Sequence, residues 1–92
     1  MNLELLEDFL AVLEHGSILA AADARDASQP TISRRLRELE DAVGATLLNR
    51  TPRGVTPTVY GAAFRTRAEK LLRDRQLALD DLRALRSGSH GH

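Results

Sequence analysis

The stretch from Ser28 to Glu40 reads SQPTISRRLRELE and places three arginines within four positions. Ser28 is a favourable N-cap residue, and Pro30 falls in the first turn of a helix, where its missing N–H costs little. Four apolar residues follow at spacings of four, three and four, which is the stripe of a helix with one buried face. They are Ile32, Leu36, Leu39 and Val43. The stretch therefore predicts a half-buried helix that ends near Gly44.

The side of this helix that faces away from the core is polar and basic. With Ile32 at zero and a step of about 100° per residue, Arg34 falls at about 200° and Arg37 at about 140°. Arg35, at about 300°, borders the core, and we expect it to be structural or paired. The exposed side of the first turns comprises Pro30, Thr31, Ser33, Arg34 and Arg37. These arginines can reach guanine or phosphate, and the amide of Gln29 suits adenine.

Two further helices are predicted before this stretch. The first has Leu6, Phe9, Leu10 and Leu13 on one face. The second, with Ser17 as its N-cap, has Ile18, Ala21, Ala22 and Arg25 on one face. Arg25 is unusual in that stripe, and we expect its stem to snorkel past the edge of the core. Only Asp26 and Ala27 then separate two helices, which is the spacing of a helix-turn-helix unit. In such a unit the second helix places its N-terminal turns in the major groove of DNA.

A short hairpin is predicted after this unit. The segment Ala45–Arg50 is partly β-prone, and Thr51–Gly54 has the proline and glycine of a type I turn. The two residues after that turn are expected to begin the returning strand. Arg50 and Arg53 bracket the turn, and arginines of such a wing meet phosphates or the minor groove.

A long helix is predicted from Thr58 to Arg86, because no breaker follows Gly61. Either Thr56 with Pro57 in the first turn, or Thr58 alone, could cap it. At about 1.5 Å per residue it spans roughly 40 Å, too long to lie entirely on so small a body. A heptad stripe from Gly61 predicts a dimer seam with a second copy of the chain. Its apolar positions are Phe64, Ala68, Leu71, Leu72, Ala78, Leu79, Leu82 and Leu85. The alternative is a helix that folds back on its own domain.

Composition places the chain among small globular proteins and excludes several classes. Its 92 residues correspond to one domain at most, and the lack of cysteine excludes disulfides and thiolate metal sites. No nucleophile–base pair, metal site or cofactor motif is found, so the sequence predicts no enzyme. No apolar run approaches the roughly 18 residues of a membrane span, and no secretory signal is present, so we expect a cytoplasmic location.

The net charge is zero, but the charges are unevenly distributed along the chain. Residues 1–33 contain six acids and one base, whereas residues 34–92 contain seven acids and twelve bases. Of the 13 basic residues only Lys70 is a lysine, and the flat donor fork of arginine fits phosphate and guanine edges.

These motifs together resemble the N-terminal DNA-binding domain of LysR-type transcriptional regulators. The matching residues are Phe9, Gly16, Ser17, Ala21, Ala22, Ser28 to Arg34, Leu36, Leu39, Glu40, Val43, Gly44, Leu47 to Arg50, Thr58 and Gly61. The resemblance implies a mostly α-helical fold, a winged helix-turn-helix followed by a linker helix that dimerises antiparallel with its mate. Arg25, Leu48 and Pro57 depart from the family, which commonly has leucine, phenylalanine and leucine there.

The resemblance implies double-stranded DNA as the partner, in the form of an interrupted inverted repeat. By position, the DNA-binding residues would be Ser28, Gln29, Pro30, Thr31, Ser33, Arg34 and Arg37 in the recognition helix, with Arg50 and Arg53 in the wing. Family members are usually tetramers. Their C-terminal effector-binding domain has no counterpart in this sequence, so we expect the chain to be a fragment.

We therefore expect three segments with different tasks. Residues 1–57 would form the DNA-binding unit, residues 58–86 the dimerisation helix, and residues 87–92 a tag or linker remnant. The expected function is sequence-specific DNA binding on the bacterial nucleoid. The alternative is a dimeric helical adaptor for protein interactions, without DNA specificity. In that adaptor the arginines would form a solvated face with pairs such as Arg34–Glu38 and Arg37–Asp41.

Overall fold

The computed structural model describes residues 2–88 as four helices and one two-stranded antiparallel hairpin. In chain order these are α1 Leu3–His15, α2 Ile18–Ala24, α3 Gln29–Val43, β1 Leu48–Thr51, β2 Gly54–Pro57 and α4 Val59–Arg86. This is the predicted mostly α-helical fold, a winged helix-turn-helix followed by a long helix. Within the predicted tail, residues 89–92 lie outside the described residues.

Side-chain oxygens cap the four helices and explain where each one begins. They belong to Asn2, Ser17, Ser28 and Thr58, and each accepts a hydrogen bond from a backbone N–H of the first turn. The sequence left open whether Thr56 or Thr58 caps α4. Thr58 is the cap, because its Oγ1 accepts a hydrogen bond from the backbone N–H of Gly61 at 3.0 Å and Pro57 belongs to β2. Gly16 and Gly44 end α1 and α3 in the left-handed region, each with a φ of 74°.

The core lies between α1 and the two helices of the helix-turn-helix. Its fully or almost fully buried apolar side chains are Leu5, Leu6, Phe9, Val12, Ala21, Ala22, Ile32, Leu36, Leu39, Leu47, Leu48 and Ala68. The predicted stripe of α3 is therefore buried up to Leu39, and Val43 is partly buried against it. Phe9 provides the link to α4, since its ring centroid lies 5.6 Å from that of Phe64.

One carboxylate is buried within this core. Asp8 is fully buried, and its oxygens accept hydrogen bonds from Arg25 Nε at 2.9 Å and from Arg35 Nη1 at 3.3 Å. Arg25 stands at the end of α2 and Arg35 lies on α3, so α1 contacts both helices through one side chain. Removing one partner of a buried ion pair leaves an uncompensated charge, and this makes the arrangement costly to break.

The sequence predicted different roles for the two arginines that contact Asp8. The expectation that Arg35 is paired is confirmed. Arg25 does not simply snorkel to solvent, because its guanidinium turns to Asp8 and lies 3.6 Å from Glu7. The physical reason is the buried carboxylate, which gives that head group a charged partner at the edge of the core.

The hairpin is short and is bonded to the helices at both of its strands. Leu48 pairs with Pro57 and Thr51 with Gly54, which leaves the two residues between them at the tip. On the β1 side, Glu40 Oε2 of α3 accepts hydrogen bonds from the backbone N–H groups of Leu47 at 2.7 Å and Leu48 at 3.2 Å. On the β2 side, the backbone N–H of Val55 donates to the carbonyl of Gly16 at 2.9 Å, and this bond fixes the wing against the α1–α2 junction.

The first half of α4 packs on the body, and its second half carries exposed leucines. Gly61 and Ala68 are buried, and Phe64 and Leu72 are partly buried against the core. Arg75 contacts α1 through Glu7 at 3.7 Å. The exposed apolar residues farther along are Leu77, Leu79, Leu82 and Leu85. Because one end of α4 extends past the body, the molecule is elongated and measures 53 × 25 × 19 Å.

This packing places part of the predicted dimer seam against the body of its own chain. Phe64, Ala68 and Leu72 contact the core of their own chain, because the N-terminal half of the heptad stripe lies against the body. The N-terminal half of α4 therefore packs against its own domain, as in the alternative given by the sequence. The other predicted seam residues are exposed: Leu71, Ala78, Leu79, Leu82 and Leu85. The role of the whole predicted seam in dimerisation stays a prediction.

The substitution Gly61→Ala separates helix propensity from packing. In a helix interior, alanine is more favourable than glycine by about 1 kcal/mol. A Cβ at position 61, however, would collide with the backbone carbonyl oxygen of Leu47. Because a backbone atom cannot move aside alone, we expect the free energy of unfolding to fall by about 1–3 kcal/mol. Urea unfolding measures this change, and a variant at least as stable as the parent would contradict the close contact.

The substitution Glu40→Ala tests the bond between the recognition helix and the wing. It leaves two backbone N–H groups without their acceptor, and we expect a loss of about 1–3 kcal/mol in the free energy of unfolding. Glu38→Ala is the matched control, since Glu38 lies exposed on the same helix and should change stability by no more than about 0.5 kcal/mol. Equal effects of the two substitutions in thermal unfolding would show that the Glu40 contact contributes nothing.

Candidate nucleic-acid interface

The N-terminal turns of α3 present the side chains that the sequence assigned to this face. Gln29, Pro30, Arg34 and Arg37 are exposed, whereas Thr31 and Ser33 are half-buried. The opposite face of the same turns is occupied by Ile32 and Leu36, which are buried. The predicted division of α3 into a core face and an outer polar face is therefore present in the structure.

Ser28 has a structural role at the start of this helix. Its Oγ accepts a hydrogen bond from the backbone N–H of Thr31 at 3.2 Å and donates to Thr31 Oγ1 at 2.9 Å. The hydroxyl hydrogen of Ser28 is thus used within the chain, and a bond to phosphate would compete with Thr31. The helix N-terminus that it caps carries the positive end of the helix dipole, which favours a nearby anion.

The wing and the N-terminal ends of α2 and α3 surround one open cleft. It is lined by Ser17, Ile18, Leu19, Gln29, Arg50, Thr51, Pro52, Arg53, Gly54 and Val55. The cleft brings together three of the predicted contact residues, Gln29, Arg50 and Arg53. Arg34 and Arg37 do not line it, because they lie farther along the exposed face of α3.

Local hydrogen bonds order the tip of the wing. Thr51 Oγ1 accepts from the backbone N–H of Arg53 at 3.2 Å and donates to the carbonyl of Gly54 at 3.1 Å. Gly54 has a φ of 136°, and a Cβ there would collide with the carbonyl oxygen of Gly16. Only glycine fits this position without strain. Arg50 and Arg53 are consequently presented on a fixed turn, with their side chains exposed.

The arginines of this surface are unpaired, in contrast to those near α1. Among residues 2–88, no ion pair or side-chain hydrogen bond involves the guanidinium groups of Arg34, Arg37, Arg50 and Arg53. The pairs of a solvated face, Arg34–Glu38 and Arg37–Asp41, are not formed in that described part of the chain. Each guanidinium carries five N–H donors, so the surface offers many donors and positive charge to an outside acceptor.

The positions of two side chains were not predicted from the sequence, that of Leu19 at this surface and that of Asp8 in the core. Leu19 is 56% exposed and lines the cleft beside Gln29. The sequence could have predicted this exposure, because Leu19 is a large apolar residue that lies outside the buried stripe of a short helix. The buried position of Asp8 was also missed, although its spacing from the buried Leu5 and Val12 is helical.

The described residues hold no arrangement typical of a metal site. In residues 2–88 no group of three or more histidine, cysteine, aspartate or glutamate side chains could hold a metal ion. None of the four described helices is long and apolar enough to cross a bilayer. The polar groups that line the cleft are instead arginine, amide and hydroxyl donors.

Residues 3–62 match the family model described as a bacterial regulatory helix-turn-helix protein of the lysR family. An SDS degradation transcriptional activation protein of Pseudomonas sp. (strain ATCC 19151) is 41% identical over 86 residues, which cover 94% of this chain and 26% of that protein. The DNA-binding transcriptional dual regulator OxyR of Escherichia coli (strain K12) is 42% identical over 74 residues, 80% of this chain and 24% of OxyR. The chain thus spans about a quarter of the length of these curated relatives.

Solved structures with the same fold include complexes with DNA. The protein chain in the crystal structure of a CbnR_DBD–DNA complex is 38% identical and superimposes with a TM-score of 0.89, over 92% of this chain and 98% of that one. The BenM_DBD/catB site 1 DNA complex gives a TM-score of 0.89 at 35% identity, with both chains fully covered. The fold, the motif residues and these similarities agree, and the chain belongs to the lysR family of bacterial regulatory helix-turn-helix proteins.

Proposed function

We propose that this chain binds double-stranded DNA in a sequence-specific manner and that it serves transcription regulation. It acts as a homodimer on an interrupted inverted repeat, with one recognition helix in each half-site. Its activity is binding and not catalysis. A regulator that binds the bacterial chromosome works in the cytoplasm, on the nucleoid.

The observation that carries this proposal is the set of four exposed and unpaired arginines around the start of α3. Arg34 and Arg37 lie on the recognition helix, and Arg50 and Arg53 lie on the wing. Some arginines of α4, Arg67 among them, are also unpaired among the described residues, so the four are distinguished by where they lie and not by the lack of a partner alone. Four unpaired guanidinium groups on one side of a helix-turn-helix supply the phosphate contacts that dominate affinity for DNA.

The docking geometry follows from the general behaviour of this motif. The N-terminal turns of α3 enter the major groove, where Gln29 suits the edge of adenine and Arg34 suits guanine. Arg37, one turn farther along, reaches guanine or phosphate. Arg50 and Arg53 on the wing meet the backbone or the minor groove, where arginine is favoured. Phosphate contacts of this kind position the protein, and base contacts specify the sequence.

The similarity to solved complexes supports the same proposal. CbnR_DBD and BenM_DBD are bound to DNA in the structures that resemble this chain. Relatives such as OxyR are about four times longer than the matched segment. We propose that the longer protein to which this segment corresponds adds an effector-binding part and assembles as a tetramer.

Within the segment, we propose a division of tasks along the chain. Residues 1–57 contact DNA, and residues 58–86 connect that unit to its mate. The exposed apolar side of α4 supports this division, since Leu79, Leu82 and Leu85 are between 41% and 60% exposed. Such a surface on a long helix is typical of a helix–helix interface.

Selection of bound duplexes from a random pool tests the proposed function directly. A dimer should select two half-sites, most simply about one helical turn apart or a multiple of it. Binding to the selected duplex should weaken steeply with salt, with log K falling by about 0.9 per phosphate contact for each unit of log salt concentration. A protein that enriches no sequence and shows no salt-sensitive shift would favour the helical adaptor instead.

Alanine substitutions should distinguish a base contact from a phosphate contact. Arg34→Ala should cost about 1–3 kcal/mol on the selected duplex and relax the sequence preference, because it removes base readout. Arg53→Ala should weaken binding to all sequences by a similar factor, because a phosphate contact carries no sequence information. Titrations of each variant with selected and random duplexes measure both effects. Equal loss on both duplexes for Arg34→Ala would reject its role in base readout.

A charge in the exposed part of α4 should weaken the dimer. Leu82 lies in the predicted seam, so Leu82→Asp would place an acid within an apolar interface and raise the dissociation constant of the dimer by at least about tenfold. Leu77→Asp is the matched control, because Leu77 is similarly exposed but lies outside the seam. Sedimentation equilibrium measures the mass of each variant. An unchanged dimer for Leu82→Asp would place the interface elsewhere.

A further inference from the structure

Three acids of α1 form a charged cluster with three arginines from the other helices. Asp8 contacts Arg25 and Arg35, as described above. Glu4 lies 3.7 Å from Arg35. Glu7 lies 3.6 Å from Arg25 and 3.7 Å from Arg75. We name the three acids Glu4, Glu7 and Asp8 the α1 carboxylate cluster. Its three negative charges match the three positive charges that they contact.

The cluster divides the arginines of the helix-turn-helix into two groups. Arg25 and Arg35 turn toward α1, and only about a quarter of each side chain is exposed, 24% and 25%. Arg34 and Arg37, on the same recognition helix as Arg35, are exposed and unpaired among the described residues. Adjacent arginines of one helix therefore point to different partners, and the carboxylate of Asp8 explains the difference.

Both inward-turned arginines lie close to the proposed DNA-binding surface. Arg35 follows Thr31 by four residues, so it lies one helical turn along the same side of α3. Arg25 stands at the end of α2, three residues before the cap of the recognition helix. Long side chains at these positions, if unpaired, would be available to phosphates flanking the groove. Such contacts would strengthen binding to every sequence equally.

We propose that Asp8 is a specificity-determining residue that withholds Arg35, and with it Arg25, from DNA. This inference rests on the proposed function. By accepting the hydrogen bonds of both guanidinium groups, Asp8 removes two positive charges from the surface that meets phosphates. Burial protects these contacts from salt, so the arginines stay inward over the range of ionic strength in which DNA binding varies. The side chains that read bases then contribute a larger share of the free energy of DNA binding.

The test compares Asp8→Asn with the parent chain on random and selected duplexes. Asparagine keeps the size of the side chain but loses the charge that retains Arg35. We expect affinity for random duplex at about 0.1 M salt to rise by at least about 5- to 10-fold, and the salt slope to steepen by about 0.9 for each arginine that gains a phosphate contact. The ratio of the affinity for the selected duplex to the affinity for random duplex should fall. The double variant Asp8→Asn with Arg35→Gln should move the salt slope back toward the parent value by about 0.9, the contribution of Arg35.

Circular dichroism confirms that each variant is folded before its DNA binding is compared. Unchanged random-duplex affinity and slope in folded Asp8→Asn would overturn the proposal, because a merely structural carboxylate would leave both unmoved. Should that variant unfold, Arg35→Gln and Arg53→Gln in the parent background decide. Arg53→Gln should lower the salt slope, because it removes a phosphate contact, and Arg35→Gln should leave it unchanged; equal losses would overturn the proposal. If the parent chain binds no duplex, the proposed function has failed and not this inference alone.

Discussion

The contact on which the rest of the structure depends is the buried carboxylate of Asp8 with its two arginines. The helices of a small domain pack through aliphatic side chains, which resist separation but fix rotation about a helix axis only weakly. The hydrogen bonds from Arg25 Nε and Arg35 Nη1 to one carboxylate are directional. They relate the end of α2 and the middle of α3 to the same point on α1. The outward face of α3 is therefore defined by a charged contact as well as by the apolar stripe.

The wing depends on the same helices through backbone contacts. Glu40 accepts from two N–H groups at the start of β1, and Gly16 accepts from Val55 on β2. Both acceptors belong to helix ends that are themselves fixed by the core. A two-stranded hairpin is marginal by itself, so these bonds explain how four-residue strands can hold Arg50 and Arg53 in place. These bonds join the recognition helix and the wing into one continuous surface.

Local chemistry made much of this fold predictable. Ser17, Ser28, Gly16 and Gly44 mark helix ends because capping and left-handed termination need only neighbouring residues. The outward face of α3 followed from periodicity. The extent to which α4 packs on its own body did not, because a stripe such as Phe64 to Leu72 looks the same whether α1 or a second chain covers it. The partner of Asp8 was equally hidden, since pairing across 17 and 27 positions depends on the tertiary fold.

The joint at Gly61 has a mechanical consequence. Thr58 Oγ1 donates to the carbonyl of Thr46, and the backbone N–H of Thr58 donates to the carbonyl of Leu47. The loop that follows the recognition helix is therefore bonded to the start of α4. With no Cβ at Gly61 to separate them, α4 lies directly against this loop, and a tilt of α4 would carry the DNA-binding unit with it. A rod about 40 Å long that tilts by about 10° displaces its far end by about 7 Å, or roughly two base-pair steps. Small torques at the distal end would thus be converted into changes of reach along the double helix.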